Sequence, residues 1–296
     1  MKIETIGVMS PGDMGQAVAQ QLKNKGFKVC TALDQRSARS KTLALQAGLT
    51  DVGSVAKLVE TCDVILSVMN PGSALEFAGE VAQALAAARR NVLFVDCNAI
   101  SPVTMQQINL KITAAGGRCA DAGIIGPPPR GTAKMTLYVS GPEARELEQL
   151  ETPQVKVHFL SERSGDASAI KMCYAAMTKG VQALVLELLI AARRLGVDAA
   201  LEAQIKSSRS DVYNFVIDAL PRMPPKAYRW VPETEEIART FDAVGLTPLT
   251  MQGAARMCAA IAETAPGKES PEEARARGRK GVEVVAALDA GFPGRK

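Results

Sequence analysis

Short apolar runs alternate with amphipathic stretches over the first half of the chain, and the alternation stops near residue 164. Residues 3–9 form a run of strand length that is apolar from Ile6 onward, followed by Ser10-Pro11-Gly12; such a run fits a strand covered on both faces. Over 13–25, Met14, Ala17, Val18 and Leu22 recur at helical spacing, and Gly26 ends the pattern. The same criteria predict strands at 29–33, 64–69, 92–96, 118–124, 135–140 and 155–160. They predict helices at 38–47, at 74–87 and from Ser101-Pro102 onward, where Ser suits the N-cap and Pro the first helical position. Strand–helix–strand repetition with short links predicts a doubly wound, mostly parallel α/β sheet.

Beyond residue 164 no strand pattern remains. Residues 168–195 read as one long apolar helix, with Ile170, Met177, Val181, Leu184, Leu188 and Leu195 close to helical spacing. The rest, to about 290, reads as helices broken at 221–225, at Pro248 and at 266–267. The polar stretch 269–280 predicts a solvated helix. The expected division is a cofactor-binding α/β domain over 1–163 and an all-helical domain over 164–296 that begins with the long helix.

Composition narrows the function. With 296 residues, 47% hydrophobic and 22% charged, the chain has a globular make-up and needs no staples to build a core. A net charge of +4 and only 4% aromatic residues speak against a nucleic-acid partner. The longest apolar run, 180–192, is broken by Glu187 and falls short of the ~20 residues of a membrane span. Six cysteines without a C-x-x-C pair, and no secretory leader pattern, predict reduced thiols in a cytoplasmic protein. These thiols are expected to be small buried hydrophobes. A single histidine, His158, excludes His-pair metal sites, so no metal is expected; His158 itself is expected to be a core or structural residue. Proton chemistry would fall to another side chain.

The turn after the first strand carries candidate chemistry. Ser10-x-Gly12-x-x-Gly15 occupies the place of the G-x-G-x-x-G dinucleotide fingerprint, with Ser for the first Gly. The second Gly lets a pyrophosphate approach the backbone, the third lets helix meet strand, and the helix N-terminus favours phosphate. Ser10, Pro11, Gly12, Asp13 and Met14 are therefore candidate cofactor contacts, within a Rossmann-type fold. Asp34, nineteen residues after Gly15, is placed for ribose hydroxyls. Arg36 and Ser37 after it suit a 2′-phosphate, so NADP(H) is favoured over NAD(H), which stays possible.

Gly12-Asp13-Met14-Gly15 resembles the G-x-M-G of the β-hydroxyacid dehydrogenases, which include 3-hydroxyisobutyrate and 6-phosphogluconate dehydrogenases. Further matches follow in order. Ser67-Val68-Met69-Asn70-Pro71 resembles the loop beside the nicotinamide. Asp96-Cys97-Asn98-Ala99-Ile100-Ser101-Pro102 resembles D-x-S-T-I-S-P. Asp121-Ala122-Gly123-Ile124-Ile125-Gly126-Pro127 resembles D-A-P-V-S-G-G, and Gly165-x-Ala167-x-x-x-Lys171 resembles G-x-G-x-x-x-K. Around 225–236 the C-terminal half looks like a less characterised branch with a phosphogluconate-dehydrogenase-like domain.

The resemblance implies NAD(P)-dependent oxidation of a small 3-hydroxy acid, or reduction of the related carbonyl compound, and a homodimer formed through the helical domain. It implies Lys171 as general acid/base, with Val68, Met69, Asn70 and Asn98 at the cofactor. Asn98, Ile125, Gly126 and Pro127 would fall at the substrate. The family's Asn-Asn after its Lys is Tyr174-Ala175 here, so the lost amide's role is vacant or passes to Tyr174, Thr178 or Lys179. Arg130, Arg229 and Trp230 are further candidate substrate contacts, and Glu233 falls where the family often has an acid. Two alternatives remain open: an imine reductase-like enzyme on the same scaffold, and a catalytically silent NADP(H)-binding sensor.

Overall fold

The structure is a computed structural model that describes residues 2–292. It divides into two compact units, Met1–Met172 and Cys173–Lys296.

The first unit is built on eight strands: β1 (Thr5–Met9), β2 (Lys28–Thr31), β3 (Thr50–Asp51), β4 (Val64–Ser67), β5 (Leu93–Asp96), β6 (Arg118–Ile125), β7 (Met135–Ser140) and β8 (Val155–Ser161). They form one sheet in the order β3-β2-β1-β4-β5-β6-β7-β8. Pairing is parallel except between β6 and β7, which form an antiparallel step. The strand order reverses direction between β1 and β4, and such a switch point opens a crevice at the carboxyl ends of the strands. The connecting helices are α1 (Asp13–Asn24), α2 (Ala38–Gln46), α3 (Val55–Thr61), α4 (Ala74–Ala88) and α5 (Pro102–Ala114).

Alternation along the strands sends side chains to two apolar layers. Val64 and Leu66 join Val18 and Leu22 of α1 in one. Ile65 and Phe94 join Leu58, Phe77, Leu85 and Ile108 of α3, α4 and α5 in the other. The short strand β3 and helix α3 went unpredicted, since two exposed residues and a seven-residue helix leave little periodicity. His158 is exposed on the edge strand β8, edge-on to Tyr138 at 5.3 Å, rather than in the core. Five of the six cysteines are buried; Cys173 is exposed.

The long helix is continuous but not uniform. It runs as α6 (Asp166–Ala175), a π-helical turn at Ala176–Gly180, and α7 (Val181–Leu195). The division between the units falls inside α6 after Met172, two turns beyond the expected boundary, because the start of α6 packs on β6. The whole run of 30 residues is long and apolar enough, by length and composition alone, to cross a membrane, contrary to the expectation drawn from its longest uninterrupted stretch. Of its most apolar window, 44% is buried inside the protein.

The second unit continues as α8 (Asp198–Ser208), α9 (Ser210–Ala219), α10 (Ala227–Asp242), α11 (Leu249–Glu263), α12 (Ala265–Lys268), α13 (Pro271–Arg277) and α14 (Gly281–Gly291). Leu186, Val216, Leu220, Cys258, Ile261 and Leu288 form its core. α7 turns Val185, Leu186, Leu189 and Ile190 inward. Met177, Leu184 and Leu195 are 56%, 63% and 76% exposed, so three of the six periodic positions singled out in the sequence lie away from the core, while Val181 and Leu188 pack against it.

Stretch 269–280 is mostly exposed, as expected, apart from one ion-pair cluster. The nearly buried Glu269 accepts from both terminal nitrogens of Arg279 at 2.7 and 2.8 Å, and Nε of Arg277 lies 2.9 Å from it. The Arg279 hydrogen bond holds the Glu269 carboxyl below its ordinary value of 4.5. A lowered folded value stabilises above the unfolded one, and the benefit is lost as pH falls through the folded value. Arg279→Ala is therefore expected to cost about 1–2 kcal/mol near neutral pH. In urea melts its deficit against wild type should shrink on acidification below 4.5. A deficit constant with pH would reject this pairing as its cause.

Candidate cofactor and active site

The turn between β1 and α1 is held by backbone alone. Ser10 donates its N–H to Val68 O at 3.0 Å, and Gly12 donates to Ser10 O at 2.8 Å; Val68 in turn donates to Met9 O. Ser thus replaces the first fingerprint Gly without its side chain entering the turn's hydrogen bonding. A Cβ on Gly15 would run into Ser10 O, so helix and turn meet only because Gly15 lacks one. A Cβ on Gly12 would meet no protein atom within 4 Å, so the space in front of the turn is open. Gly12 is the N-cap of α1 and brings no side chain to the helix's first N–H groups. Those N–H groups and the helix dipole could hold a pyrophosphate.

Across the switch point the β4 and β5 loops are tied to this turn. Met69 donates its N–H to Asn98 Oδ1 at 2.6 Å. Asn98 donates its side-chain hydrogens to Ser67 Oγ and Asp96 Oδ2, both at 2.8 Å, and its backbone N–H to Asp96 Oδ1 at 2.9 Å. Asn98 is buried, and both its amide hydrogens are spent within the protein. The structure therefore gives it a role in fixing the Met69 backbone, where sequence reasoning foresaw a ligand contact. Asn70 caps the turn Pro71–Ser73 by accepting from Gly72 N at 3.2 Å.

The end of β2 opens onto a cleft of 330 Å³ lined by Met9, Ala32, Asp34, Gln35, Arg36, Gly53, Ser54, Val55 and Glu80. Gln35 takes a left-handed conformation, φ 57°, which turns the chain while Asp34, Gln35 and Arg36 all still face the cleft. Asp34 donates its N–H to Gly53 O at 3.0 Å, and Asp51 braces both sides by accepting from Leu33 N and Gly53 N. Ser37 accepts from Ser40 N at 3.2 Å as the N-cap of α2. Glu80 is a wall residue that no sequence motif announced.

Ile125 ends β6, and Gly126 and Pro127 follow, both exposed. Gly126 has φ 127°, and a Cβ there would stand 2.9 Å from Met135 Cα, so the antiparallel step to β7 requires it. Arg130 donates to Asp13 O and Asp13 Oδ1 at 2.7 and 2.9 Å; it braces the first turn of α1. On the other side of Gly123, a Cβ would lie 3.1 Å from Cβ of the partly buried Lys171. Lys171 thus belongs to the sheet unit.

Tyr174 and Thr178 belong to the second unit. Tyr174 is 45% exposed, and Thr178 Oγ1 donates to the carbonyls of Tyr174 and Ala175 at the π-helical turn. Lys179 pairs with Glu233 at 2.7 Å, each 12% exposed, and lies 5.2 Å from the Trp230 ring centre. It is committed there, which removes it as a stand-in for the family's Asn, and Glu233 is its largely buried partner. Trp230 packs on the core of this unit, and Arg229 lies 5.9 Å from the ring of Tyr228. Among the described residues, no cluster of three or more His, Cys, Asp or Glu could hold a metal.

Residues 5–152 match the NAD binding domain of 6-phosphogluconate dehydrogenase, and 192–261 match a domain of unknown function. The chain is 30% identical over 198 residues to an uncharacterised 28.5 kDa protein of Methanothermus fervidus, spanning 67% of this chain and 74% of that one. It is 27% identical over 231 residues to the mitochondrial 3-hydroxyisobutyrate dehydrogenase of Drosophila melanogaster, spanning 75% of this chain and 70% of that one. The fold matches the solved 3-hydroxyisobutyrate dehydrogenase of Mycobacterium tuberculosis with a TM-score of 0.68 at 20% identity, over 94% of this chain and 100% of that one. The open turn at Gly12, the cleft at β2 and these likenesses agree: the chain belongs to the β-hydroxyacid dehydrogenase family and is an NAD(P)-dependent oxidoreductase.

Proposed function

We propose that this protein interconverts a small 3-hydroxy acid and its carbonyl partner with NADP(H), using Lys171 as general acid/base. The observation that carries the proposal is the seating of Lys171 against Gly123 on β6, in the same unit as the open turn at Gly12. A nicotinamide cofactor, when bound, supplies the hydride chemistry. Gly12 and the first turn of α1 would hold its pyrophosphate, and Asp34 and Arg36 its adenosine end. The carbinol O–H proton must pass to a protein group as the carbonyl forms. In this chain an amine can take it, provided desolvation keeps part of that amine neutral near neutral pH. The hydroxyls lost at Ala99 and Ile125, against the family's motif, favour a substrate other than hydroxyisobutyrate.

The preference for NADP(H) rests on Arg36 at the cleft. A guanidinium fork pairs with a 2′-phosphate and gains nothing from a 2′-hydroxyl. Arg36→Ala is expected to weaken NADPH binding about 10- to 100-fold and NADH binding less than about twofold. Fluorescence titration of the two cofactors checks it, and equal losses would withdraw the NADP(H) preference. The reaction itself is tested by following NADPH absorbance over a panel of 3-hydroxy acids, their aldehydes and ketones, and cyclic imines. Turnover of imines in preference to hydroxy acids would replace this reading; tight NADPH binding with no turnover would leave a sensor.

A further inference from the structure

The start of α6 is docked end-on against the sheet by side chains of β6 and β7. Asp121 and Ser140 face each other across that strand pair. Asp121 Oδ2 accepts from Gly165 N at 3.0 Å, Ser168 N at 2.8 Å and Ser140 Oγ at 3.0 Å, while Oδ1 accepts from Ser168 Oγ at 2.7 Å. Ser140 Oγ accepts from Ala167 N at 2.9 Å. The first N–H groups of a helix have no partner within it; here the strands provide them. Asp121, Ser140 and Ser168 are wholly buried.

Two residues along β6, on the same sheet face as Asp121, Gly123 supplies a second point of contact. A Cβ there would stand 2.5 Å from Ala167 O and 3.1 Å from Lys171 Cβ. Ala167 and Lys171 are one turn apart on one helix face, so helix and strand touch backbone to backbone beneath Lys171. The family pattern has Pro at position 123 and Gly at 167; in this chain the residue without a side chain stands on the strand instead.

Burial pushes the Asp121 carboxyl up, against the hydrogen bonds from Ser168, Ser140 and Gly165. A buried carboxylate is a costly way to cap a helix, and it fixes the helix start to one register on β6. We infer that Asp121 and Gly123 are positioning residues that set where the Lys171 amine stands for proton transfer. This inference rests on Lys171 being the general acid/base.

The test uses the full-length protein with NADPH and whichever member of the substrate panel turns over. Gly123→Ala is expected to lower kcat about a hundredfold, with KM and the NADPH Kd within about twofold. It should also move the limb of the pH–rate profile that Lys171 carries. Ser168→Ala, which removes one donor from Asp121, should lower kcat about fivefold, and Ser168→Thr should restore it. Unchanged kcat and pH limb in a folded Gly123→Ala protein overturn the inference. So does a kcat loss matched by equal losses in NADPH binding and thermal midpoint.

A second readout needs no substrate. Reductive methylation with ¹³C-formaldehyde labels the amines, and the signal of position 171 is the one missing from Lys171→Arg. Gly123→Ala should change its chemical shift and titration midpoint; an identical signal rejects the positioning role. If Lys171→Met leaves turnover intact, the acid/base reading fails by itself, and the methyl signal still judges whether the socket places the amine.

Discussion

Lys171→Ala should reduce turnover about 10²- to 10⁴-fold, the range a positioned general acid or base contributes. NADPH should still bind with a Kd within about twofold of wild type, because cofactor contacts and proton transfer draw on separate groups. The Lys171 side chain leaves α6 over Gly123 of β6, whereas the turn between β1 and α1 is held by Ser10, Gly12 and Val68 backbone. The chain has one histidine, and it stands on the edge strand, exposed, beside Tyr138. Stopped-flow absorbance with the active panel member measures the loss. Turnover within a few-fold of wild type would remove Lys171 from the chemistry.

The second large effect separates two glycines three residues apart. Gly12→Ala places a methyl in open space in front of α1. Its fold should persist, with a thermal midpoint within about 1–2 °C of wild type, since an unstrained surface change costs within about 0.5 kcal/mol. NADPH affinity should nevertheless fall at least about tenfold, because the methyl occupies the approach of the pyrophosphate. Gly15→Ala places its methyl against Ser10 O. That carbonyl also accepts from Gly12, so the turn must shift, at about 1–3 kcal/mol as for other overpacked sites. Gly15→Ala is thus expected to lose both stability and binding. Calorimetry and fluorescence titration on the pair decide the matter. If Gly12→Ala binds NADPH as tightly as wild type, the pyrophosphate does not lie at this turn.

The parallel core of the sheet was legible because its strands are continuous apolar runs punctuated by Gly and Pro. The turn at 10–15 was legible because a fingerprint depends on glycines at set spacings, and spacing is visible in one dimension. The antiparallel step at β7 was not, since nothing in 135–140 records the direction in which the strand is laid down. Nor was the face of α7: Leu184 and Leu195 fit the helical period as well as Leu186 and Ile190, and only packing decides between them. Asn98 looked like a ligand contact because its motif carries one. Its amide instead bridges Met69, Ser67 and Asp96, partners spread over thirty residues of sequence. Asp121 was quoted within a motif and given no task, because its partners at 140, 165 and 168 meet it only after the sheet has formed.

The way α6 begins also dictates how this protein can be dissected. A fragment cut at residue 163 would keep the whole sheet yet strip the Asp121 carboxylate of Gly165 and Ser168. An anion would be left with one hydroxyl in place of four donors, in ground where water had been shut out. A fragment carried through Met172 would retain those donors and the seat under Lys171. For a piece of this chain to stand alone, the scissors belong inside a helix rather than in the loop before it.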